Sequence, residues 1–282
     1  MMKPSPTEID RLVRSALEED APWGDITSQS LIPAAARVTA DLAAREDGVL
    51  CGEDIFIAAM TLTDPAISTH FRIHDGGTFA KGDILATTEG PARGVLQAER
   101  VALNFTQRLC GIATLTARYV AEAAGTNARI TDTRKTTPGL RLLERYAVRC
   151  GGGVNHRFSL SDAVMAKDNH LAALGESLAE AIEQARATLP HTTHFEVEVD
   201  SLDQIDEVLD AGVDTIMLDN FSTDQLRAGV AKIAGRALVE ASGGITLERI
   251  REIAATGVDI ISVGALTHSV RALDLGLDFR TR

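Results

Sequence analysis

The sequence predicts an α/β protein whose larger part is built on a parallel sheet, and three observations carry that reading. Past residue 125 a short β-rich run, a polar or glycine-rich turn and a helical stretch recur. The helical stretches are long enough for crossovers between parallel strands. The last three of them end in glycine, which supplies a left-handed stop.

The first part of the chain reads differently. A helix is expected at "PTEIDRLVRSALEED", then "DITSQSLIP", a strand-like "ARVTADLAARED" and a helical "EDIFIAAMTLT". "AISTHFRIHDG" and "KGDILATTEG" alternate like half-exposed antiparallel strands, which makes this part α+β. Its "HDGGTFAKGDILATTEG" resembles the glycine-punctuated hairpins of lipoyl and biotinyl carriers, but Lys81 sits in a Lys-Gly-Asp turn rather than at a hairpin tip, so the stretch reads as structural. "QAERVALNFTQRLCGIATLTARYVAEAAG" is expected to be one long helical region with a break near Gly111.

The repeating part places strands at "ARITDT", "AVMAK", "HFEVEV", "TIMLD", "ALVEA" and "IISVG". Helices are expected at "PGLRLLERYAVRCGG", "ESLAEAIEQARATLP", "SLDQIDEVLDAG", "STDQLRAGVAKIAG" and "TLERIREIAATG", with Ser201, Ser222 and Thr246 as N-caps. Right-handed crossovers let six such strands curl toward a barrel or fan into a doubly wound sheet.

Composition narrows the function. A hydrophobic content of 45% over 282 residues supports a sizeable core. No apolar run approaches the roughly 18 residues of a membrane span, and the N-terminus lacks the apolar middle of a secretory signal, so the expected location is the cytoplasm. Cys51, Cys110 and Cys150 have no metal or disulfide spacing and are expected to be reduced and buried. A net charge of −12 argues against nucleic acid or a membrane surface as partner.

Against that background Arg134, Lys135, Arg141, Arg145, Arg149, Arg157 and Lys167 face only Glu144 and Asp162, a local 7 − 2 = +5. The spacing of Arg141, Arg145 and Arg149 reads as a solvated helix face. The others fall where ligands bind, at the carboxyl ends of the parallel strands. Those ends carry Arg134-Lys135, then Lys167-Asp168-Asn169-His170. Next come Glu196, Glu198 and Asp200, then Asp219-Asn220, then Glu240 running into Ser242-Gly243-Gly244, and finally Gly264. Cations, then carboxylates, then glycine turns describe a site for a polyanionic ligand with a divalent metal. A phosphate reaches backbone N–H groups only where no Cβ intervenes. His156, beside Arg157, falls within the cationic stretch; His191 and His194 are read as having no role.

"TDTRKTTPGLR", "GGGVNHR", "MAKDNH", "EVEVDSLDQ", "MLDNF", "SGGIT" and "VGALTHS" occur in order, with "EDAPWGDITS" near the start and "QAERVALNF" in the long helix. Together these motifs closely resemble the decarboxylating quinolinate phosphoribosyltransferases (nicotinate-nucleotide pyrophosphorylases), over essentially the whole chain. Met165-Ala166, where aliphatic residues are expected, departs from the pattern and is expected to alter packing more than chemistry. A related molybdenum-transport accessory protein shares the "TRKT" and "GGG" regions but is expected to lack the Asn-His-Arg and Lys-Asp-Asn-His patterns.

The resemblance implies an open, incomplete α/β barrel of about six parallel strands at 113–269. It implies an α+β open-faced sandwich at 1–112, with the tail 270–282 a candidate to pack on the latter. It implies a pentosyltransferase of NAD biosynthesis that makes nicotinate mononucleotide, CO2 and pyrophosphate from quinolinate and 5-phosphoribosyl 1-pyrophosphate, with Mg2+. By position, Arg100, Arg134, His156, Arg157 and Lys167 correspond to the quinolinate receptor, Arg100 serving the partner subunit of a homodimer with shared sites. Lys135, Glu198 and Asp219 correspond to the catalytic and phosphoribosyl set. Glu198 and Asp219 are the metal candidates, directly or through pyrophosphate, and Ser242, Gly243 and Gly264 correspond to the 5-phosphate cradle.

Overall fold

The structure, a computed structural model, describes residues 3–174 and 177–280. The chain divides into two compact units. Unit 1 holds the residues through Ala117, Thr137–Gly152 and those from Ser269 onward; unit 2 holds Arg118–Thr136 and Gly153–His268.

Unit 1 begins with α1 (Pro6–Asp20), where Pro6 opens the helix and Ser5 and Glu8 cap it reciprocally. Asp25 caps the short α2 (Ile26–Leu31), accepting from the N–H groups of Thr27 and Ser28. Then follow β1 (Arg37–Ala44), β2 (Gly48–Val49), α3 (Glu53–Thr63), β3 (Ser68–Phe71), β4 (Thr78–Phe79) and β5 (Ile84–Pro91). Gly52 gives α3 no side-chain cap, and Asp75 takes that role by accepting from the N–H groups of Gly52 at 2.8 Å and Glu53 at 3.1 Å. The antiparallel sheet runs in the order C-terminal strand (Leu275–Phe279), β1, β5, β3. The sequence reading had no strand at 275–279, yet Leu42 of β1 pairs with Leu277. The core joins Ile9 and Val13 of α1 to Phe56 and Met60 of α3, with Leu42 and Leu85 from the sheet.

Two expectations for unit 1 are corrected. The long helix α4 (Ala92–Glu122) runs through Gly111 without a break. Glycine is needed there because a Cβ would lie 2.2 Å from the Arg271 carbonyl oxygen, so the position marks a close chain approach. In α5 (Arg141–Cys150), Arg145 is buried and Arg141 and Arg149 are half-buried, so the three arginines do not form a solvated face. Glu144 is fully buried in the same helix. It accepts from Arg108 through Nη2 at 2.6 Å and Nε at 2.8 Å, and from the Thr137 N–H at 3.1 Å. Removing one partner of a buried charge pair is costly because the other keeps its desolvation penalty. Glu144→Ala is therefore expected to lower unfolding stability by about 3 kcal/mol, toward the low end because the Arg108 side chain is 30% exposed. Urea denaturation checks this, and a loss below about 1 kcal/mol would contradict it.

Unit 2 is a six-stranded parallel sheet of β6 (Arg129–Thr131), β7 (Val164–Ala166), β8 (Phe195–Val199), β9 (Thr215–Asp219), β10 (Leu238–Ser242) and β11 (Ile260–Ser262). Its order is β6-β11-β10-β9-β8-β7. The first strand pairs with the last, as barrel closure requires, but among the described residues β6 and β7 do not pair, so the barrel is open at that seam. The crossovers are α7 (Leu178–Thr188), α8 (Ile205–Asp210), α9 (Thr223–Ile233) and α10 (Ile250–Ala254). A short α6 (Asp168–Ala173) follows β7 directly, and α11 (Ala265–His268) follows β11.

The capping expectations hold unevenly. Ser222 caps α9, accepting from the Gln225 N–H while Gln225 accepts from the Ser222 N–H. Ser201 and Thr246 instead precede single 3-10 turns that lead into α8 and α10. Gly212, Gly235 and Gly257 are all left-handed, but at α9 the preceding Ala234 already turns at φ 50°. Alternation sets the faces of each strand. Ile216 and Leu218 are buried in the core, while Thr215, Met217 and Asp219 line cavities inside the sheet's curve.

Candidate active site

The strand ends of unit 2 surround a cavity of about 360 Å³. Arg134 and Lys135 enter it from the loop after β6, Lys167 from the end of β7, Glu198 from β8, Asp219 from the end of β9 and Ser242 from the end of β10. His156 and Arg157 reach it from the loop before β7. Eight of the residues expected in the site thus share one cavity: Arg134, Lys135, His156, Arg157, Lys167, Glu198, Asp219 and Ser242. Lys167 is paired with Glu198.

The two glycines of the expected phosphate cradle lie beside this wall. Gly243 has φ 86°, and a Cβ on it would fall 2.2 Å from the Asn220 side-chain oxygen and 2.7 Å from the Asn220 nitrogen. A Cβ on Gly264 would meet the Lys135 stem at 3.1 Å and the His268 ring at 3.0 Å. Backbone can approach at both places only because the side chain is missing. Arg100 belongs to unit 1, where it is exposed on α4.

Several organising residues went unassigned in the sequence reading. Asp132, fully buried, accepts from Asn155 Nδ2 at 2.6 Å and from the His156 N–H at 2.8 Å, fixing the loop that presents His156 and Arg157. Thr267 Oγ1 donates to the Lys135 carbonyl at 2.7 Å. Asn220 is left-handed at φ 59°; its side chain donates to Asp219 at 2.6 Å and its N–H to the Ser242 carbonyl, tying two strand ends together. The Asp-Asn pair at a strand end is a signal for this turn, since Asn tolerates the left-handed region.

A second cavity of about 300 Å³ lies toward the amino ends of the strands, and His156, Arg157 and Glu240 line both. His156 Nε2 is 3.2 Å from Glu196 and 3.5 Å from Glu240, while Nδ1 accepts from the Arg157 N–H at 2.8 Å. Burial alone would lower its pKa, but the two carboxylates outweigh that and raise it to about 10. The Arg157 N–H opposite Nδ1 works against a second ring proton. Burial raises the Glu196 pKa, the His156 hydrogen bond pulls it down and Glu240 pushes it up. Burial, then the charge of Arg134, lowers the pKa of Arg157, which marks two guanidiniums held where an anion would relieve their repulsion. His194, expected to have no role, lines the second cavity with its Nε2 2.8 Å from Thr215 Oγ1.

Residues 112–278 match the quinolinate phosphoribosyl transferase C-terminal domain, and residues 25–110 match the N-terminal domain of the same family. The chain belongs to the quinolinate phosphoribosyl transferase family. It is 46% identical over 275 residues to nicotinate-nucleotide pyrophosphorylase (carboxylating) of Mycobacterium leprae, covering 94% of this chain and 95% of that one. It is also similar to the solved NadC from Streptococcus pyogenes, with a TM-score of 0.94, 42% identity and full coverage of both chains. The nicotinate-nucleotide pyrophosphorylase from Francisella tularensis superposes with a TM-score of 0.93 at 39% identity, covering 99% of this chain and 98% of the other. In family terms, unit 2 up to His268 lies within the span matched by the C-terminal domain, as do α5 and all but the last residue of the C-terminal strand of unit 1. Among the described residues, no helix is long and apolar enough to cross a membrane.

Proposed function

We propose that this chain performs its family's reaction in the 360 Å³ cavity, joining quinolinate to 5-phosphoribosyl 1-pyrophosphate to give nicotinate mononucleotide, CO2 and pyrophosphate in NAD biosynthesis. The observation that carries the assignment is the convergence of Arg134, Arg157 and Lys167 with Glu198 and Asp219 in one cavity. Quinolinate is a dianion, and guanidinium forks suit its carboxylates. Arg134, His156, Arg157 and Lys167 bind it, and the partner subunit's Arg100 completes the receptor in a homodimer. Lys135, Glu198 and Asp219 serve the phosphoribosyl group, and Ser242, Gly243 and Gly264 cradle its 5-phosphate.

Among the described residues, Glu198 and Asp219 belong to no cluster of three or more metal-ligating side chains, which suits Mg2+, an ion that binds through one or two carboxylates, phosphate oxygens and water. When bound with pyrophosphate, Mg2+ offsets the charge of the leaving group; Glu198 and Asp219 would hold it. As the ribose C1–oxygen bond breaks, the carboxylates of Glu198 and Asp219 stabilise the positive charge on the ribose and Lys135 faces the departing pyrophosphate. The pyridine nitrogen then bonds to C1. Next the bond from C2 to its carboxylate breaks, the electron pair staying on C2 beside the quaternary nitrogen; CO2 leaves and C2 takes up a proton from solvent water. No protein nucleophile is needed. The arginines orient and desolvate the ring. The reaction takes place in the cytoplasm.

The deciding assay mixes the protein with quinolinate, 5-phosphoribosyl 1-pyrophosphate and Mg2+. Equal amounts of nicotinate mononucleotide and CO2 are expected, and their absence from folded protein would overturn the assignment.

A further inference from the structure

The residues lining the 360 Å³ cavity are polar or charged with two exceptions, Met165 and Met217. Met217 is 5% exposed, and the parallel register sets it beside Glu198 on one neighbouring strand and Glu240 on the other. Met165, two residues before Lys167 on β7, pairs with Glu196. A thioether flanked by carboxylates gains nothing from them, and an ordinary core methionine on β9 would share the opposite face with Ile216 and Leu218. An apolar side chain in a charged cavity makes sense where the ligand has apolar faces.

Quinolinate divides in the same way. Its carboxylates lie at one edge of the ring, where the cations suffice, and its two π-faces want dispersion contact. Soft, polarisable sulfur suits an aromatic ring, and an unbranched side chain adapts to it. We propose that Met165 and Met217 form the wall for the pyridine ring and determine specificity, making the site select an aromatic dicarboxylate over an aliphatic one of equal charge. The proposal rests on the assignment of this cavity as the quinolinate site.

The test uses two unreactive probes with adjacent carboxylates, phthalate, which has a ring, and maleate, which has none. Binding to the intact protein is measured by calorimetry. The wild type should bind phthalate at least ~10-fold more tightly than maleate. Met165→Gln and Met217→Gln, close to methionine in shape, should each weaken phthalate and quinolinate by about 10-fold while maleate changes less than about threefold. Met165→Leu and Met217→Leu should stay within about threefold of wild type for both probes. Retained maleate binding shows that a variant is folded. Equal binding of the two probes by the wild type, equal losses of both in the Gln variants, or no loss of phthalate would each overturn the proposal. Arg134→Ala separates the two levels of the argument. It should abolish binding of both probes, and survival of maleate binding would show instead that the carboxylate receptor lies elsewhere.

Discussion

Nicotinate is expected to be used at least ~10²-fold less efficiently than quinolinate, although the two share the ring, the nitrogen and one carboxylate. The difference lies in what the site has already desolvated. Arg157 is part-buried, and its pKa is lowered by that burial and by Arg134 beside it, so the two cations are held together at a cost that an anion offsets. In the proposed receptor, quinolinate brings two carboxylates to Arg134, Arg157 and Lys167. Nicotinate strips the same water from the guanidiniums but returns only one, leaving part of the polar receptor poorly satisfied. The loss should fall on kcat/KM, because nicotinate lacks both the ground-state contacts and the precise placement of nitrogen against ribose C1. Arg134→Ala should shrink the discrimination, since it removes part of what nicotinate fails to satisfy. Steady-state rates with each acceptor decide the matter. Comparable turnover of the two would sink the assignment of these cations to the second carboxylate.

Much of this site was visible in the sequence because parallel sheets expose ligand-binding groups at predictable places. Lys167, Asp219 and Ser242 can be read as strand ends from the strand–helix alternation alone, and the structure sets them in one cavity wall. What depends on register could not be read. "TIMLD" looks like a buried strand, and nothing in it says that Met217 faces inward between Glu198 and Glu240 while Leu218 faces the core. The approach of His156 to Glu196 and Glu240 likewise needs the loop held by Asp132, a contact between separate segments. Gly111 misled for a similar reason. Local propensity reads a helical glycine as a weak point, but the requirement comes from the Arg271 carbonyl, far along the chain. The spacing of Arg145 reads as surface, whereas the helix around it is covered on nearly every side. Spacing marks which residues share a face, and tertiary packing decides which faces stay exposed.

Mixing two inactive variants should restore activity toward about a quarter of wild type. The expectation follows from where the candidate residues lie. Arg134, His156, Arg157 and Lys167 belong to unit 2, whereas Arg100 is an exposed residue of α4 in unit 1. If the partner subunit's Arg100 completes each quinolinate receptor, Arg100→Ala damages the neighbour's site, while Lys135→Ala damages the site of its own chain. Each variant alone should be nearly inactive, because every site in its homodimer lacks one group. In a mixed dimer, one site collects both defects. The other combines native Lys135 from one chain with native Arg100 from its partner and is intact. Random reassociation of equal amounts makes roughly half of the dimers mixed, each with one working site of two, hence the quarter. Co-refolding the variants and assaying nicotinate mononucleotide reads the result, with mixed dimers verified by mass. If Arg100 served the site of its own chain, every mixed dimer would carry two broken sites, and no activity would return however completely the chains exchanged.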